Sequence, residues 1–297
     1  MADTRETFWA KAAGDARGWA LALVGVTVLA YWSSLGGTFV FDDFEYVVGN
    51  PVLTADSVPV ADVFMAAYPP DHPEQNLYRP LVTVSYLLDK SLWAIPSDPR
   101  AARTLFHLTN LIWHLLVVLA LYGLVLRMSR LRDRACEPWA AALASAFFAV
   151  HPLTVESVAW VSGRAELMAA FSCLLGLHLY LNARDGAAGR PWYRVYLPVW
   201  WAYGLALGCK ENAIVLPALI AVVEGVAPGG GTRDWKKIGW LAAGLAVVAA
   251  GFWMWRQLLF AGIPLEEQAY VGIVGPATRV LIACKVLVQY WIMVVVP

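Results

Sequence analysis

The chain has 297 residues, of which 60% are hydrophobic and only 15% are charged. Lysine and arginine number 22, as do aspartate and glutamate, so the formal net charge is zero. This composition is typical of a polytopic membrane protein, and the balanced charge argues against a nucleic-acid-binding protein, which would need a basic surface.

Largely uncharged runs of near-spanning length occur eight times along the chain. A membrane-spanning segment must satisfy its backbone polar groups internally, so runs of this kind predict helices. We therefore predict an all-α polytopic membrane protein with a bundle of about seven to eight transmembrane helices. The final run contains Lys285 and Gln289, so it fits either a span or a re-entrant helix. The runs cover residues 19–35, 104–126, 138–155, 167–183, 195–209, 212–227, 238–255 and 280–297.

The basic residues predict how the helices are oriented, because short loops rich in lysine and arginine stay in the cytoplasm. Thirteen of the 22 basic residues fall in alternate connections, which we assign to the cytoplasmic side together with the N-terminal segment 1–18. The remaining connections, 36–103, 151–166, 209–212 and 256–279, then face the opposite side. The thirteen are Arg5, Lys11, Arg17, Arg127, Arg130, Arg132, Arg134, Arg184, Arg190, Arg194, Arg233, Lys236 and Lys237.

The long first extracytoplasmic loop, 36–103, has an organisation of its own. Apolar residues recur at helical spacing over 80–93 but are interrupted by polar ones, which predicts a short helix lying along the membrane interface. A second short helix is expected over 56–67, ended by the proline-rich stretch that follows.

Every unusual polar cluster of the sequence falls on this same extracytoplasmic side. Charges near a membrane are costly unless they have partners or a function, so their coincidence predicts a shared site. The clusters are Asp42-Asp43, Tyr78-Arg79, His151 with Glu156, Arg164 with Glu166, and Lys210-Glu211-Asn212.

Asp42 and Asp43 suit three roles: ligands of a divalent cation, a general base toward a hydroxyl, or a solvated loop. Arg79, Arg164 and Lys210 are candidates to hold a phosphate, although snorkelling or ion pairing would also account for them. Carboxylates and polar groups beside them would position these cations or contact the substrate. This supporting set comprises Tyr78, His151, Glu156, Glu166, Glu211 and Asn212.

Other polar residues of the spans have a simpler interpretation. His107, His114 and His178 lie within apolar runs, where packing or hydrogen bonds between helices are the usual roles. The four cysteines stand singly, without the spacing of a metal site. The sequence contains no glycine-rich phosphate loop and no H-E-x-x-H motif, which argues against nucleotide-driven pumps and zinc proteases.

The order of these motifs carries a family resemblance. It begins with Phe39-Val40-Phe41-Asp42-Asp43 and Tyr78-Arg79-Pro80-Leu81, continues through the segments 107–114 and 151–166, and ends with Lys210-Glu211-Asn212. The ordered set resembles the membrane half of the transmembrane O-mannosyltransferases that target cadherins, and their bacterial relatives. The resemblance runs from about residue 31 to the end of the chain.

The resemblance implies a GT-C fold over 19–297 and glycosyl transfer from a polyprenyl-phosphate sugar, with mannose as the favoured sugar. It implies an inverting transfer to a hydroxyl, such as that of serine or threonine in a protein, with Asp42 and Asp43 as base and acceptor-binding residues. Family members usually continue into tetratricopeptide repeats, so a C-terminal part is expected to be missing here. The expected location is a bacterial inner membrane, or the endoplasmic reticulum if the chain is eukaryotic.

Two other classes of function stay open on the residues alone. A small-solute transporter would use Lys210-Glu211-Asn212 as a discontinuous site between two short helices, although transporters usually place such charges near the bilayer midplane. A non-catalytic membrane scaffold would use the same helices only to carry a partner domain.

Overall fold

A computed structural model describes residues 15–92, 102–131, 137–186, 191–226, 235–263 and 275–296. Within these ranges every regular element is a helix, and several helices are long and apolar enough to cross a membrane. The prediction of an all-α polytopic membrane protein is therefore confirmed.

Twelve α-helices are described, and we number them in chain order. They are α1 (Ala16–Tyr31), α2 (Pro51–Thr54), α3 (Val60–Val63), α4 (Pro80–Leu92), α5 (Arg103–Leu131), α6 (Pro138–Ala149), α7 (Val155–Ala159), α8 (Arg164–Gly186), α9 (Trp192–Cys209), α10 (Leu216–Val226), α11 (Trp235–Leu259) and α12 (Pro276–Val295).

The predicted number of seven to eight transmembrane helices is not confirmed. Among the described residues, five stretches have the length and hydropathy of a span, and a bent helix pair makes a sixth if it is counted as one. The five are Ala16–Gly36, Arg103–Arg130, Arg164–Arg184, Trp235–Leu259 and Ala277–Val295. Helix α9 is rich in Trp and Tyr, and α10 has only 11 residues, so neither qualifies alone.

The bent pair lies where the sequence predicted the third span to end. Helices Pro138–Ala149 and Pro152–Ala159 meet at an angle of 56°. The bend occurs at His151, which has extended backbone angles because the proline ring at position 152 disfavours helical geometry in the residue before it. The bend turns α7 away from the direction of α6.

The centre of the bundle is α8, which packs against α5, α9 and α10. Its apolar side chains enter two cores, one shared with α9, α10 and α11 and the other shared with α5 and the first loop. Helix α8 begins at Arg164, so its N-terminal end reaches the extracytoplasmic clusters predicted from the sequence.

The first loop contains the helices expected from its pattern. Helix α4 covers 80–92 of the predicted 80–93, of which residue 93 lies outside the described ranges, and α3 lies within the predicted 56–67. Asn50 begins α2 by accepting a hydrogen bond from the Val52 backbone N–H at 3.0 Å. The placement of α4 along a membrane interface stays a prediction.

The sidedness of the bundle also stays a prediction. Six of the basic residues that support it lie outside the described ranges, as do residues 1–14. The six are Arg5, Lys11, Arg132, Arg134, Arg190 and Arg233.

Candidate active site

The two adjacent carboxylates point to different surroundings. Asp43 is fully buried, and its carboxylate accepts hydrogen bonds from the backbone N–H groups of Ser162 (2.8 Å) and Val40 (3.2 Å). Asp42 is exposed, and its carboxylate makes no hydrogen bond or ion pair with any residue that the structure describes. Asp43 thus joins the first loop to the start of α8, whereas Asp42 is available to a substrate.

The turn that separates these carboxylates is built by Phe41. Its φ of 41° is unusual for a residue with a bulky side chain, and its ring stacks on Trp160 with centroids 5.4 Å apart. The Asp43 N–H donates to the Val40 carbonyl at 2.9 Å, which closes the turn. Strained backbone of this kind persists where surrounding contacts enforce it, and here it lies in the turn that leads into both carboxylates.

Asp42 lines a polar cavity of about 280 Å³. The cavity brings together residues that are up to 248 positions apart in sequence, since its lining runs from Asp42 to Tyr290. Its charged lining is formed by Asp42, Arg79, Glu156, Glu166 and Lys210. Five of the predicted site residues therefore share one cavity, as expected if the extracytoplasmic clusters meet.

The wall around Glu156 depends on a close backbone approach at Gly163. A Cβ atom at this position would lie 2.7 Å from the carbonyl oxygen of Ser157 and 2.8 Å from that of Glu156. Any larger residue would force this turn apart. The Glu156 carboxylate itself makes no hydrogen bond or ion pair with the described residues.

Two ion pairs bring α9 and the helical segment after it into the site. The Lys210 ammonium pairs with Glu166, and Arg79 Nε lies 3.5 Å from Glu211 Oε2. The chain can reach both partners because helix α9 ends at Cys209 and Lys210 adopts extended backbone angles before Glu211–Val215 forms a short 3₁₀ helix. The tripeptide 210–212 is thus a break between two helical segments, as the sequence suggested.

The pair between Arg79 and Glu211 is incompletely satisfied. Arg79 Nε and Glu211 Oε1 are both buried and have no hydrogen-bond partner within the described ranges. The Arg79 guanidinium also lies over the Tyr68 ring, 5.5 Å from its centroid. Buried polar atoms without partners cost about 1–3 kcal/mol each, so a polar ligand that bonded to them would relieve that cost.

Arg164, the third predicted phosphate ligand, does not line the cavity. Its guanidinium is completely buried and lies 2.6 Å from Asp89 Oδ2. It also donates to Asn110 Oδ1 (2.8 Å), Ser85 Oγ (3.3 Å) and the Phe106 carbonyl (2.9 Å). The structure therefore surrounds Arg164 with protein groups that tie α4 and α5 to α8.

Tyr78, His151 and Asn212 also lie outside the cavity lining. The Tyr78 hydroxyl donates to the Phe64 carbonyl and accepts from Trp255 Nε1, both at 3.0 Å. The His151 ring bonds the Val294 carbonyl at 3.2 Å through Nε2. Asn212 lines a neighbouring apolar groove instead. Tyr78 and His151 therefore position the wall of the site rather than form it.

Several residues that line the cavity were not identified from the sequence, among them three aromatic ones. Tyr46 lies close to predicted motif residues and Trp160 lies within the motif segment 151–166, but neither was predicted to line the site. Tyr290 lies in the apolar run of α12, where no sequence signal marks it. Burial raises the pKa of Tyr46 and the Asp42 carboxylate raises it further, and the Tyr46 hydroxyl donates to Gln75 Oε1 at 3.1 Å.

The predicted histidine roles are mostly confirmed. His114 Nε2 bonds the Ala149 carbonyl and His178 Nε2 bonds the Ala120 carbonyl, each at 2.9 Å, so both tie neighbouring helices together. His107 is buried and its ring stacks on that of Phe39, with centroids 6.4 Å apart. In the part of the chain that the structure describes, no group of three or more His, Cys, Asp or Glu could hold a metal ion.

Comparison with curated proteins finds several relatives that are named protein O-mannosyl-transferases. A protein O-mannosyl-transferase of Caenorhabditis elegans is 32% identical over 56% of this chain and 23% of its own length. The human protein O-mannosyl-transferases TMTC4 and TMTC3 are 31% and 30% identical, over 69% and 68% of this chain and 29% and 21% of their own lengths.

This chain is similar to protein O-mannosyl-transferases. The family resemblance read from the ordered motifs is therefore confirmed. The chain spans 21–29% of the length of these O-mannosyl-transferases, and no family model matches it. No solved structure matches the chain either.

Proposed function

We propose that this protein transfers a sugar from a polyprenyl-phosphate donor to the hydroxyl of an acceptor on the extracytoplasmic side of the membrane. The names of its relatives favour mannose as the sugar. The observation that carries the proposal is the polar cavity in which Asp42 lies together with Arg79 and Lys210. A glycosyl transferase needs a base for the acceptor and cations for the leaving phosphate, and this lining supplies both.

Asp42 is the proposed general base. It accepts the proton of a serine or threonine hydroxyl while the hydroxyl oxygen attacks the anomeric carbon of the sugar. The bond from that carbon to the phosphate oxygen breaks with its electron pair, so polyprenyl phosphate leaves and the anomeric configuration inverts. Asp43 acts differently in this proposal, because its carboxylate is already engaged by two backbone N–H groups and holds the turn that presents Asp42.

Arg79 and Lys210 are proposed to stabilise the departing phosphate, whose charge grows as the bond breaks. Their carboxylate partners, Glu211 and Glu166, hold the two cations at the cavity. The Arg79 guanidinium lines the cavity and is a suitable donor for a phosphate oxygen, since a guanidinium and a phosphate match in geometry. The sequence pattern suggested Arg164 for the same role, but its burial beside Asp89 makes Arg79 and Lys210 the better candidates.

An apolar groove beside the cavity supports a lipid-linked donor. It has a volume of about 370 Å³, and Glu166 lies on the lining of both spaces. Side chains of α5, α8 and α10 form its wall, including Leu121, Leu177 and Leu219. A donor with an isoprenoid tail in this groove would place its phosphate near Lys210, and Asn212 would contact the tail end nearest the phosphate.

The proposal is tested by following labelled mannose from polyprenyl-phosphate mannose into serine- and threonine-containing peptides, using membranes that contain the whole chain. Asp42→Asn should lower transfer by roughly 10²-fold or more, because an amide cannot accept the proton. Asp62→Asn is the matched control, since Asp62 is an exposed carboxylate of the same loop outside the cavity lining. Full activity of Asp42→Asn at normal protein levels would refute the assignment.

Asp43→Asn separates the two carboxylates of the pair. The two backbone N–H groups bond to different oxygens of Asp43, and an asparagine offers only one carbonyl oxygen in their place. We therefore expect lower stability as well as reduced transfer. If Asp43→Asn left stability unchanged while abolishing transfer, Asp43 rather than Asp42 would be the base.

A further inference from the structure

A second apolar cleft lies on the other face of α10 from the groove described above. Its volume is about 520 Å³, and its walls come from α8, α9, α10 and α11. The lining includes Pro217 and Ile220 of α10 and Leu241, Ala242 and Leu245 of α11. None of the lining residues of the polar cavity belongs to it, so this cleft is a separate site.

The cleft runs lengthwise along α11. Its lining extends on this helix from Trp235 to Ala249, which at ~1.5 Å rise per residue corresponds to roughly 21 Å. One leaflet of a bilayer provides ~15 Å of hydrocarbon, half of the usual ~30 Å. The cleft is therefore long enough for an acyl chain that enters from one leaflet.

One end of the cleft is charged. Glu224 lines it, and this carboxylate accepts a hydrogen bond from the Tyr180 hydroxyl and lies 3.2 Å from Arg184 Nε. The Arg184 and Glu224 side chains are 24% and 22% exposed, so both are within reach of a ligand at the surface. An arginine and a glutamate side by side present one positive and one negative group.

The charged end lies at the level expected for lipid headgroups. Trp235 lines this end and is 70% exposed, as is typical of aromatic residues at a membrane interface. Lys236 and Lys237 follow it directly, and both belong to the basic connections that predict the cytoplasmic side. The apolar length of the cleft then extends from this interface toward the bilayer centre.

We propose that this cleft binds one acyl chain of a cytoplasmic-leaflet phospholipid whose headgroup carries an ammonium, with its phosphate at Arg184 and its ammonium at Glu224. Charge complementarity selects this occupant, because the phosphate and ammonium of a zwitterionic headgroup match an adjacent arginine and glutamate. An anionic headgroup has no ammonium, so its negative charge would be repelled by the Glu224 carboxylate. The bound lipid braces α10, which separates this cleft from the groove proposed for the donor tail.

The test uses two photoactivatable lipids with identical diazirine-bearing acyl chains, one a phosphatidylethanolamine and the other a phosphatidylglycerol. The whole chain is reconstituted with each lipid, irradiated and digested, and labelled peptides are identified by mass spectrometry. Phosphatidylethanolamine should label α10 and α11 at the cleft roughly tenfold more than phosphatidylglycerol does. Equal labelling by the two lipids would refute the headgroup assignment.

Two matched substitutions on α11 test the cleft itself. Ala242→Phe fills the cleft and should reduce its labelling roughly tenfold, whereas Ala243→Phe adds the same side chain at an exposed neighbouring position outside the lining. Equal labelling of the two variants would overturn the proposal.

Glu224→Gln keeps the shape of the cleft and tests the headgroup if Ala242→Phe fails to fold. It should bring phosphatidylethanolamine labelling down to the phosphatidylglycerol level, and an unchanged preference would overturn the role of Glu224. A bound lipid raises the unfolding temperature according to its occupancy of the folded protein. The stabilisation by phosphatidylethanolamine should therefore be lost in Glu224→Gln together with the labelling preference. None of these measurements depends on sugar transfer, so they test lipid binding independently of the catalytic proposal.

Discussion

Two arginines of the protein lie in contrasting surroundings, Arg164 at the start of α8 and Arg79 just before α4 in the first loop. Arg164 is completely buried and bonded to Asp89, Asn110, Ser85 and a backbone carbonyl. The Arg79 side chain is 13% exposed, lies beside a polar cavity and has a buried Nε without a hydrogen-bond partner among the described residues. The first arginine joins three helices, whereas the second is open to a ligand.

The contrast has a physical reason. A buried guanidinium loses its hydrogen bonds to water and must replace them with bonds to protein groups. The network around Arg164 supplies these bonds. Because the Arg164 guanidinium is completely buried within that network, a phosphate in the cavity does not reach it. Arg79 has the same chemical group but fewer partners, so the same residue type serves structure in one place and is suited to catalysis in the other.

The largest effect should come from breaking the buried network. We expect Arg164→Met to lower the free energy of unfolding by about 3–5 kcal/mol, because it leaves Asp89 buried without its partner. Denaturant unfolding in detergent micelles measures this. The double variant Arg164→Met with Asp89→Leu should recover part of the loss, and a single variant as stable as the parent would show that the network contributes nothing.

Arg79→Gln should act on transfer rather than on folding. Loss of one stabilising donor at a developing charge typically lowers a rate by about 10²-fold, and we expect that loss in the labelled-mannose assay. The unfolding transition should move much less than in Arg164→Met. A variant that kept full transfer would remove Arg79 from the phosphate site and break the contrast between the two arginines.

Thr109→Val sharpens the account of the buried network. The Thr109 hydroxyl donates to Asp89 Oδ1 at 2.9 Å, and a hydrogen bond to a charged group contributes about 1.5–3 kcal/mol. Valine has nearly the same shape, so stability should fall by about that amount with transfer unchanged. Thr104→Val, on the same helix, is the control for valine's lower helix propensity. A loss of transfer at full stability would instead couple this network to the site.

The smallest effect on stability should come from the pair between Lys210 and Glu166. These side chains are 18% and 44% exposed, and ion pairs with solvent access contribute about 0–1 kcal/mol. Glu166→Gln should therefore leave the unfolding midpoint nearly unchanged. We expect reduced transfer, because Lys210 would no longer be held at the cavity; a large loss of stability would place this pair with Arg164 instead.

Residue type and chain order predicted much of the candidate site. Arg79, Glu156, Glu166 and Lys210 fall in connections that alternate with the basic ones, and they do line one cavity with Asp42. Tyr290 was missed, because a tyrosine near the end of an apolar helix is usually an interfacial anchor. Which face of α12 meets the cavity depends on packing that the sequence pattern does not encode.

The sequence by itself determined the class of the protein, its helical segments and the ordered motifs that relate it to O-mannosyl-transferases. These follow from local properties, since hydropathy, proline positions and motif order are written in consecutive residues. The tertiary structure decided which polar group is free and which is engaged. It divided Asp42 from Asp43 and Arg79 from Arg164, because burial and hydrogen bonding depend on partners from distant segments, such as Ser162 and Asp89.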